Sequence, residues 1–85
     1  MIQFYRRAAE SDLGDGIAYL EITDGWPTRQ VEVYGDKWRW GDTGDSRWLA
    51  DQPIDVLGLS SEHVIPSDEF ELVWAEARRR CPQPS

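Results

Sequence analysis

The sequence predicts an α+β domain in which an antiparallel meander of about four short strands packs against one amphipathic C-terminal helix. Three observations predict it: alternating apolar residues in the first half, turn signals between them, and apolar residues at helical spacing near the C-terminus. A chain of 85 residues is too short for two cores. We therefore expect one domain over residues 1–85, with an ordered core at about 2–81 and a short tail at 82–85.

The strands follow from runs of alternating or β-favouring residues. Residues 2–6 predict a first strand, and the polar residues 7–15 after it predict a loop. Residues 17–23 and 28–34 predict a hairpin, because the Asp-Gly pair within the connection 24–27 adopts positive φ at little cost.

A fourth strand is predicted at residues 37–40, with Trp38 and Trp40 on one face. The longest irregular stretch follows at residues 41–55, which we expect to be the most mobile part of the chain. A short additional strand is predicted at residues 54–59, interrupted by Gly58.

The C-terminal helix is predicted over residues 68–80. Its apolar face repeats at i, i+3, i+4, i+7 and i+11, and consists of Phe70, Val73, Trp74, Ala77 and Cys81. Ser67 is the predicted cap, and Pro82 the predicted stop. We expect this face to meet Val31, Val33, Trp38 and Trp40 of the sheet.

Charge and composition disfavour several classes of function. The formal net charge is -7, and the only basic cluster is at residues 78–80, so binding to nucleic-acid phosphates is disfavoured. No charged leader precedes a long apolar run, and no segment is long enough to span a bilayer. The single cysteine, Cys81, has no intrachain partner, which favours a reducing compartment. We expect a cytoplasmic bacterial protein.

Polar clusters that suggest chemistry have simpler interpretations. The triplet Asp42-Thr43-Gly44 matches the catalytic triplet of aspartic proteases, but Gly41 precedes it instead of an apolar strand, so a polar turn is favoured. Asp36, Asp42 and Asp45 lack the spacing of a calcium loop and are expected to cap turns. No metal site or cofactor is therefore predicted.

Histidine and cysteine chemistry is likewise not indicated. His63 lies near Ser60, Ser61 and Glu62, but neighbouring positions in sequence do not align a nucleophile with a base, and no Gly-x-Ser-x-Gly elbow is present. Cys81 lies on the apolar face of the helix and is expected to be a small core residue. We predict that the protein is not an enzyme.

The five tryptophans are the unusual feature of the composition. Trp74, Trp38 and Trp40 are predicted core residues, whereas Trp26 and Trp48 fall in predicted loops, where at least one is expected to be exposed. An exposed Trp beside Asp and Arg is typical of an interaction hot spot. The candidate interaction residues are Asp24, Trp26, Asp42, Asp45 and Trp48.

Residues 19–37 resemble a hairpin of a family of small uncharacterised bacterial domains. That hairpin reads Tyr-x-Glu-apolar, a Gly-Trp turn, and then a basic residue-x-Val-Glu-aliphatic-aromatic-x-Asp-Gly. The matching residues are Tyr19, Glu21, Trp26, Arg29, Val31, Glu32, Val33, Tyr34 and Asp36, while Lys37 replaces the usual Gly. The resemblance implies the hairpin and brings no activity or site residue with it.

The function favoured by the sequence is a small binding or regulatory module that recognises a protein with a basic surface, as a monomer or weak homodimer. Two alternatives remain open at this point. One is a small-ligand or minor enzyme site in residues 41–63, and the other is an acidic mimic of nucleic acid.

Overall fold

The computed structural model of the protein describes residues 1–82, which form a five-stranded antiparallel sheet and one long helix. The elements are β1 (Ile2–Ser11), β2 (Gly14–Thr23), β3 (Trp26–Tyr34), β4 (Lys37–Asp42), α1 (Ile54–Leu57), a 3₁₀ turn (Ser61–His63), β5 (Val64–Ile65) and α2 (Ser67–Arg80). The strand order is β4-β3-β2-β1-β5. The predicted α+β meander is confirmed, but with five strands instead of four. The predicted tail beyond Pro82 lies outside the described residues.

The first hairpin is longer than predicted. The loop predicted at residues 7–15 is wrong, because β1 continues to Ser11 and pairs with β2 along its whole length, with Ser11 opposite Gly14. A two-residue turn, Asp12-Leu13, joins them, and Gly14 supplies the positive φ of 100°. Polar side chains are tolerated in this second half of β1 because the pairing with β2 is made by backbone hydrogen bonds.

The second hairpin also has a tighter turn than predicted. Only Asp24 (φ 52°) and Gly25 (φ 88°) connect β2 to β3, instead of the predicted residues 24–27. Positive φ at both central residues is the requirement of a type I′ turn, whose twist matches that of the strands. Pro27 consequently lies within β3, opposite Ile22 and next to an irregularity in the register.

The strand predicted at residues 54–59 is wrong. Residues Ile54–Leu57 form the single turn of α1, which ends at Gly58 in the left-handed conformation (φ 73°). The fifth strand lies later, at Val64–Ile65, and pairs with Tyr5 and Phe4 on the outer side of β1.

Helix α2 packs on one face of the sheet, as predicted. Its first residue is Ser67 and its N-cap position is held by Pro66, with no side-chain cap, so the predicted capping by Ser67 is wrong. The cluster beneath it contains the buried residues Val31, Trp40, Ile65, Phe70, Trp74 and Ala77, with Val33, Trp38 and Val73 packed against them. Trp40 meets Trp74 edge to face at 5.3 Å.

A second apolar cluster lies on the opposite face of the sheet. It consists of Tyr5, Ala18, Leu20 and Ile22, and it is covered by Ala50, Ile54, Leu57 and Leu59. We call residues 46–60 the covering segment. The stretch expected to be a mobile loop thus forms much of the third layer of the domain.

Backbone hydrogen bonds fasten the covering segment to the sheet. The Ala50 N–H donates to Oε1 of the buried Gln30 at 2.7 Å, and the Ile54 N–H donates to the carbonyl of Gly25 at 2.8 Å. The guanidinium of Arg7 donates to the carbonyl of Leu57. Irregular backbone is tolerated against a sheet face because its polar groups are paired.

The first prediction concerns the core beneath α2. Phe70 is 0% exposed, so Phe70→Ala should lower the free energy of unfolding by about 3–5 kcal/mol through lost burial and a cavity. Leu72→Ala, on the same helix at 74% exposure, is the matched control and should change it by less than about 0.5 kcal/mol. Urea denaturation measures both. Equal losses would contradict the assigned helix face.

The second prediction tests the contact between β4 and the covering segment. A Cβ at Gly41 would lie 3.0 Å from the Leu49 nitrogen and 3.1 Å from the Asp45 oxygen, both backbone atoms. We expect Gly41→Ala to destabilise the protein by about 1–3 kcal/mol, through overpacking, and to speed amide hydrogen exchange at Ala50 and Ile54.

Gly44→Ala is the control for that substitution. Its nearest neighbour would be a side-chain oxygen of Asp42 at 3.4 Å, an ordinary contact. Stability and exchange should stay near the values of the unmodified protein. Unchanged exchange in Gly41→Ala would show that the covering segment does not rest on β4.

Candidate interaction surface

Trp26 lies where the β2–β3 turn enters β3, and its side chain is 53% exposed. The neighbouring residue, Pro27, is buried, and the turn itself is held by the hydrogen bond from Ile54 to Gly25. An exposed indole is therefore carried on a fixed backbone, which reduces the conformational entropy lost when it is covered.

Trp26 lies in a row of three residues that crosses the sheet, in which Thr23 stands between two apolar residues, Ile2 and Trp26. Ile2 pairs with Thr23, and Thr23 pairs with Trp26, so the three side chains point to the same face. Ile2 is itself 55% exposed. Ile2 carries no sequence signal of its exposure, because a strand residue at an end of the sheet cannot be distinguished by pattern from a core residue.

Asp24 and Asp42 lie at the same end of the sheet as Trp26. Asp24 occupies the turn, where its carboxylate accepts a hydrogen bond from the Met1 ammonium at 2.6 Å. That hydrogen bond and the ammonium charge lower the pKa of Asp24. Asp42 ends β4 opposite Arg29, three residues along β3 from Trp26.

Asp42 has a local structural role that explains the Asp42-Thr43-Gly44 triplet. Its Oδ1 accepts hydrogen bonds from the N–H groups of Gly44 and Asp45, both at 2.9 Å, and its backbone exchanges two hydrogen bonds with that of Asp45. This is a turn in which an aspartate caps its own backbone. Asp45 is exposed on this turn. We call Asp24, Trp26, Asp42 and Asp45 the Trp26 surface.

Trp48 is placed differently from Trp26. It is half-buried in the covering segment, with the Arg39 guanidinium 4.2 Å from its ring centre. Arg39 is also 5.3 Å from the ring of Tyr34, and its side chain is only 14% exposed. This stack lies on the face opposite α2, whereas Ile2, Thr23 and Trp26 share the face of α2. Trp26 and Trp48 therefore lie on different faces of the sheet.

An ionic network borders the Trp26 surface beneath the start of α2. Arg29 pairs with Glu21 and with Glu71, the latter at 2.6 Å, while its guanidinium lies 4.9 Å from the Phe70 ring and 5.1 Å from the Trp74 ring. Hydrogen bonding to Glu71, followed by that to Glu21, raises the pKa of Arg29 against the opposing effect of its burial.

The two carboxylates of this network are held in the charged form. Burial alone raises the pKa of Glu21, but hydrogen bonds from Arg29 and Thr28, with the Arg29 charge, outweigh it and lower the pKa. The hydrogen bond from Arg29 lowers the pKa of Glu71. These groups join α2 to β2 and β3.

The other residues considered for chemistry also have local roles. The Nδ1 atom of His63 accepts a hydrogen bond from the Ser60 N–H at 3.1 Å and so closes the 3₁₀ turn before β5. The Cys81 Sγ donates to the carbonyl of Trp38 at 3.3 Å. Within residues 1–82, no pocket is found and no group of three His, Cys, Asp or Glu side chains is placed to hold a metal ion.

Comparisons of the chain with protein-family models, with curated proteins and with solved structures found no match. Neither helix of the described chain has the length and apolar character needed to cross a membrane. The candidate surface therefore rests on its own geometry.

The third prediction concerns pH. Because the pKa values of Glu21 and Glu71 are lower in the folded protein than their ordinary value of 4.5, their stabilising contribution is complete above that value. It is lost as the pH falls and both become protonated. We expect the free energy of unfolding to decline between about pH 5 and about pH 3.

Glu21→Gln should be less stable at pH 7, because Arg29 loses a charged partner, and should show a shallower decline at low pH. Urea midpoints measured from pH 7 to pH 3 test this. Glu10→Gln, which removes an exposed carboxylate outside the network, should follow the unmodified protein. Parallel decline in Glu21→Gln and the unmodified protein would show that Glu21 does not govern acid stability.

Proposed function

We propose that this protein is a small, non-catalytic binding or regulatory module that engages a protein partner with a basic surface through the Trp26 surface. The observation that carries the proposal is the 53% exposed indole of Trp26 on an anchored two-residue turn. Tryptophan is enriched among the residues that contribute most to interfaces. A fixed indole beside carboxylates suits a partner that presents Lys or Arg.

The distribution of charge also supports a partner with a basic surface. The chain carries sixteen acidic and nine basic side chains, and four of the basic ones, Arg29, Arg39, Arg78 and Arg80, lie over aromatic rings. Asp24 and Asp45 are exposed near the end of the sheet that carries Trp26. An excess of outward carboxylates accelerates association with a basic partner and repels acidic ones.

In this proposal the protein acts in the bacterial cytoplasm as a monomer or weak homodimer, holds no cofactor, and binds neither nucleic acid nor membrane. The resemblance of residues 19–37 to a family of small bacterial domains belongs to the same proposal. Trp48 contributes indirectly, by holding the covering segment against Arg39.

The fourth prediction tests the role of Trp26. The partner is captured by affinity from the cells that encode the protein. Trp26→Ala should weaken the binding of that partner by about 30-fold, which corresponds to the loss of a hot spot of about 2 kcal/mol. Its melting temperature should change by less than about 4 °C, as for a surface substitution. Raising the salt concentration should weaken capture by the unmodified protein.

Leu72→Ala is the matched control for capture, because it also truncates an exposed apolar side chain but lies on the outer face of α2. It should recover the same partner as the unmodified protein. Equal recovery by the Trp26 and Leu72 variants would reject the Trp26 surface as the binding site. A large loss of stability in Trp26→Ala would instead identify a core role for the indole.

A further inference from the structure

Four of the five tryptophans carry an arginine guanidinium over the indole ring. The nearest guanidinium carbon lies between 4.2 and 5.3 Å from the ring centre in Trp38, Trp40, Trp48 and Trp74. Within residues 1–82, no guanidinium lies over Trp26. The most exposed indole of the protein is therefore also the one that lacks a cation.

Most of these arginines donate to a carboxylate while they lie on a ring. Arg80 lies over Trp38 and its Nε donates to Glu76 at 2.6 Å. Arg39 lies over Trp48 and donates to the aspartate of the β1–β2 turn at 3.2 Å. A guanidinium can do both, because its flat face meets the ring while its N–H groups point outward in the same plane.

The surroundings of Trp26 offer an aromatic face and a carboxylate together. Trp26 pairs with Thr23, and Glu21 lies two residues along the same face of β2, so it is a diagonal neighbour of Trp26. The hydroxyl of Thr28 lies 3.0 Å from that of Thr23 and donates to Glu21 at 2.7 Å. One hydroxyl group thus joins the Trp26 row to the carboxylate.

The carboxylates on this side of the sheet outnumber the cations. Glu21 and Glu71 share the single guanidinium of Arg29. Both carboxylates are charged at neutral pH, so the three groups carry one surplus negative charge. Asp42, opposite Arg29 on β4, adds a further one. The surplus is accessible from solvent, because the side chain of Glu71 is 51% exposed.

On the basis of the proposed function, we propose that Trp26 receives an arginine side chain of the protein partner. Its guanidinium lies on the exposed indole and faces the surplus negative charge of Glu21 and Glu71. Lysine fits this site less well, because an ammonium group is a compact, strongly hydrated charge without a flat face. The basic surface of the partner is thereby narrowed to arginine at the position that meets Trp26.

A second copy of the chain is a poorer source of this arginine than a separate protein. Within residues 1–82, seven of the eight arginines already contact a carboxylate, a carbonyl or a ring of the same chain, and the exception is the exposed Arg47. Each copy carries a formal charge of -7, so two copies repel one another. A basic partner is attracted instead.

The fifth prediction compares two small probes, N-acetyl-arginine amide and N-acetyl-lysine amide. Each is titrated to about 100 mM against the isotope-labelled protein at constant ionic strength. The arginine probe should shift the indole N–H resonance of Trp26 more than those of the other tryptophans, and should bind about 3-fold more tightly than the lysine probe. Because the two probes have the same charge, the lysine probe controls for general attraction to an acidic protein.

Three variants complete the test. Glu71→Gln removes the surplus charge but keeps the indole, and should weaken binding of the arginine probe by about 3-fold. Glu10→Gln removes an exposed carboxylate outside the network and should bind like the unmodified protein. Trp26→Ala should abolish the difference between the two probes, as read from the backbone amide resonance of Thr23.

Equal binding of the two probes by the unmodified protein, or arginine shifts remote from Trp26, would overturn this proposal. The capture of a partner through Trp26 would be unaffected by that result, so the two proposals fail separately. Trp26 shifts that rise with protein concentration without a probe, and vanish in Arg47→Gln, would assign the indole to a second copy and overturn the proposal of a separate partner.

Discussion

The fold depends on covering a sheet that is apolar on both faces with a chain that has only one long helix. Val31 and Trp40 require cover on one face, and Leu20 and Ile22 require it on the other. Helix α2 supplies the first cover. The second is supplied by irregular chain, which carries unpaired backbone groups unless the sheet satisfies them. Gln30 and Gly25 do so, which explains why a buried glutamine is present in a central strand.

The same constraint determines how the arginines are used. Aromatic rings on both sides of the sheet offer faces to cations, and Arg39 lies between Tyr34 and Trp48 while Arg29 lies over Phe70 and Trp74. These cations stabilise packing between layers and add little to the outer surface. The carboxylates remain mostly outside, so the acidic surface follows partly from the way the core is assembled.

Much of the fold could be predicted where a pattern had one solution. The apolar spacing from Phe70 to Ala77 fits only a helix, and Asp24-Gly25 between alternating residues predicts a hairpin, although the predicted connection was two residues too long. The second half of β1 could not be predicted, because Arg7 to Glu10 bear polar or small side chains that a strand near an open edge tolerates. Strand β5 has two residues, too few for any periodicity.

The candidate site was predictable only in part, for a related reason. Sequence placed Trp26 and Trp48 in irregular chain, yet their surroundings depend on tertiary contacts. Trp48 meets Arg39 because the covering segment returns across Gly41, where a side chain would obstruct it. Trp26 stays exposed because the buried Pro27 beside it fixes the strand and no described segment crosses the Ile2–Thr23–Trp26 row.

The open edge of β1 must be reconciled with the general hazard of unpaired strands. Long flat edges invite unselective pairing, and charged side chains together with short free lengths oppose it. Here the unpaired length is bounded by β5 and the Ser61–His63 turn on one side and by the Asp12-Leu13 turn on the other, and it carries the charged residues Arg6 and Glu10. Its short length and its charged side chains therefore both oppose unselective pairing.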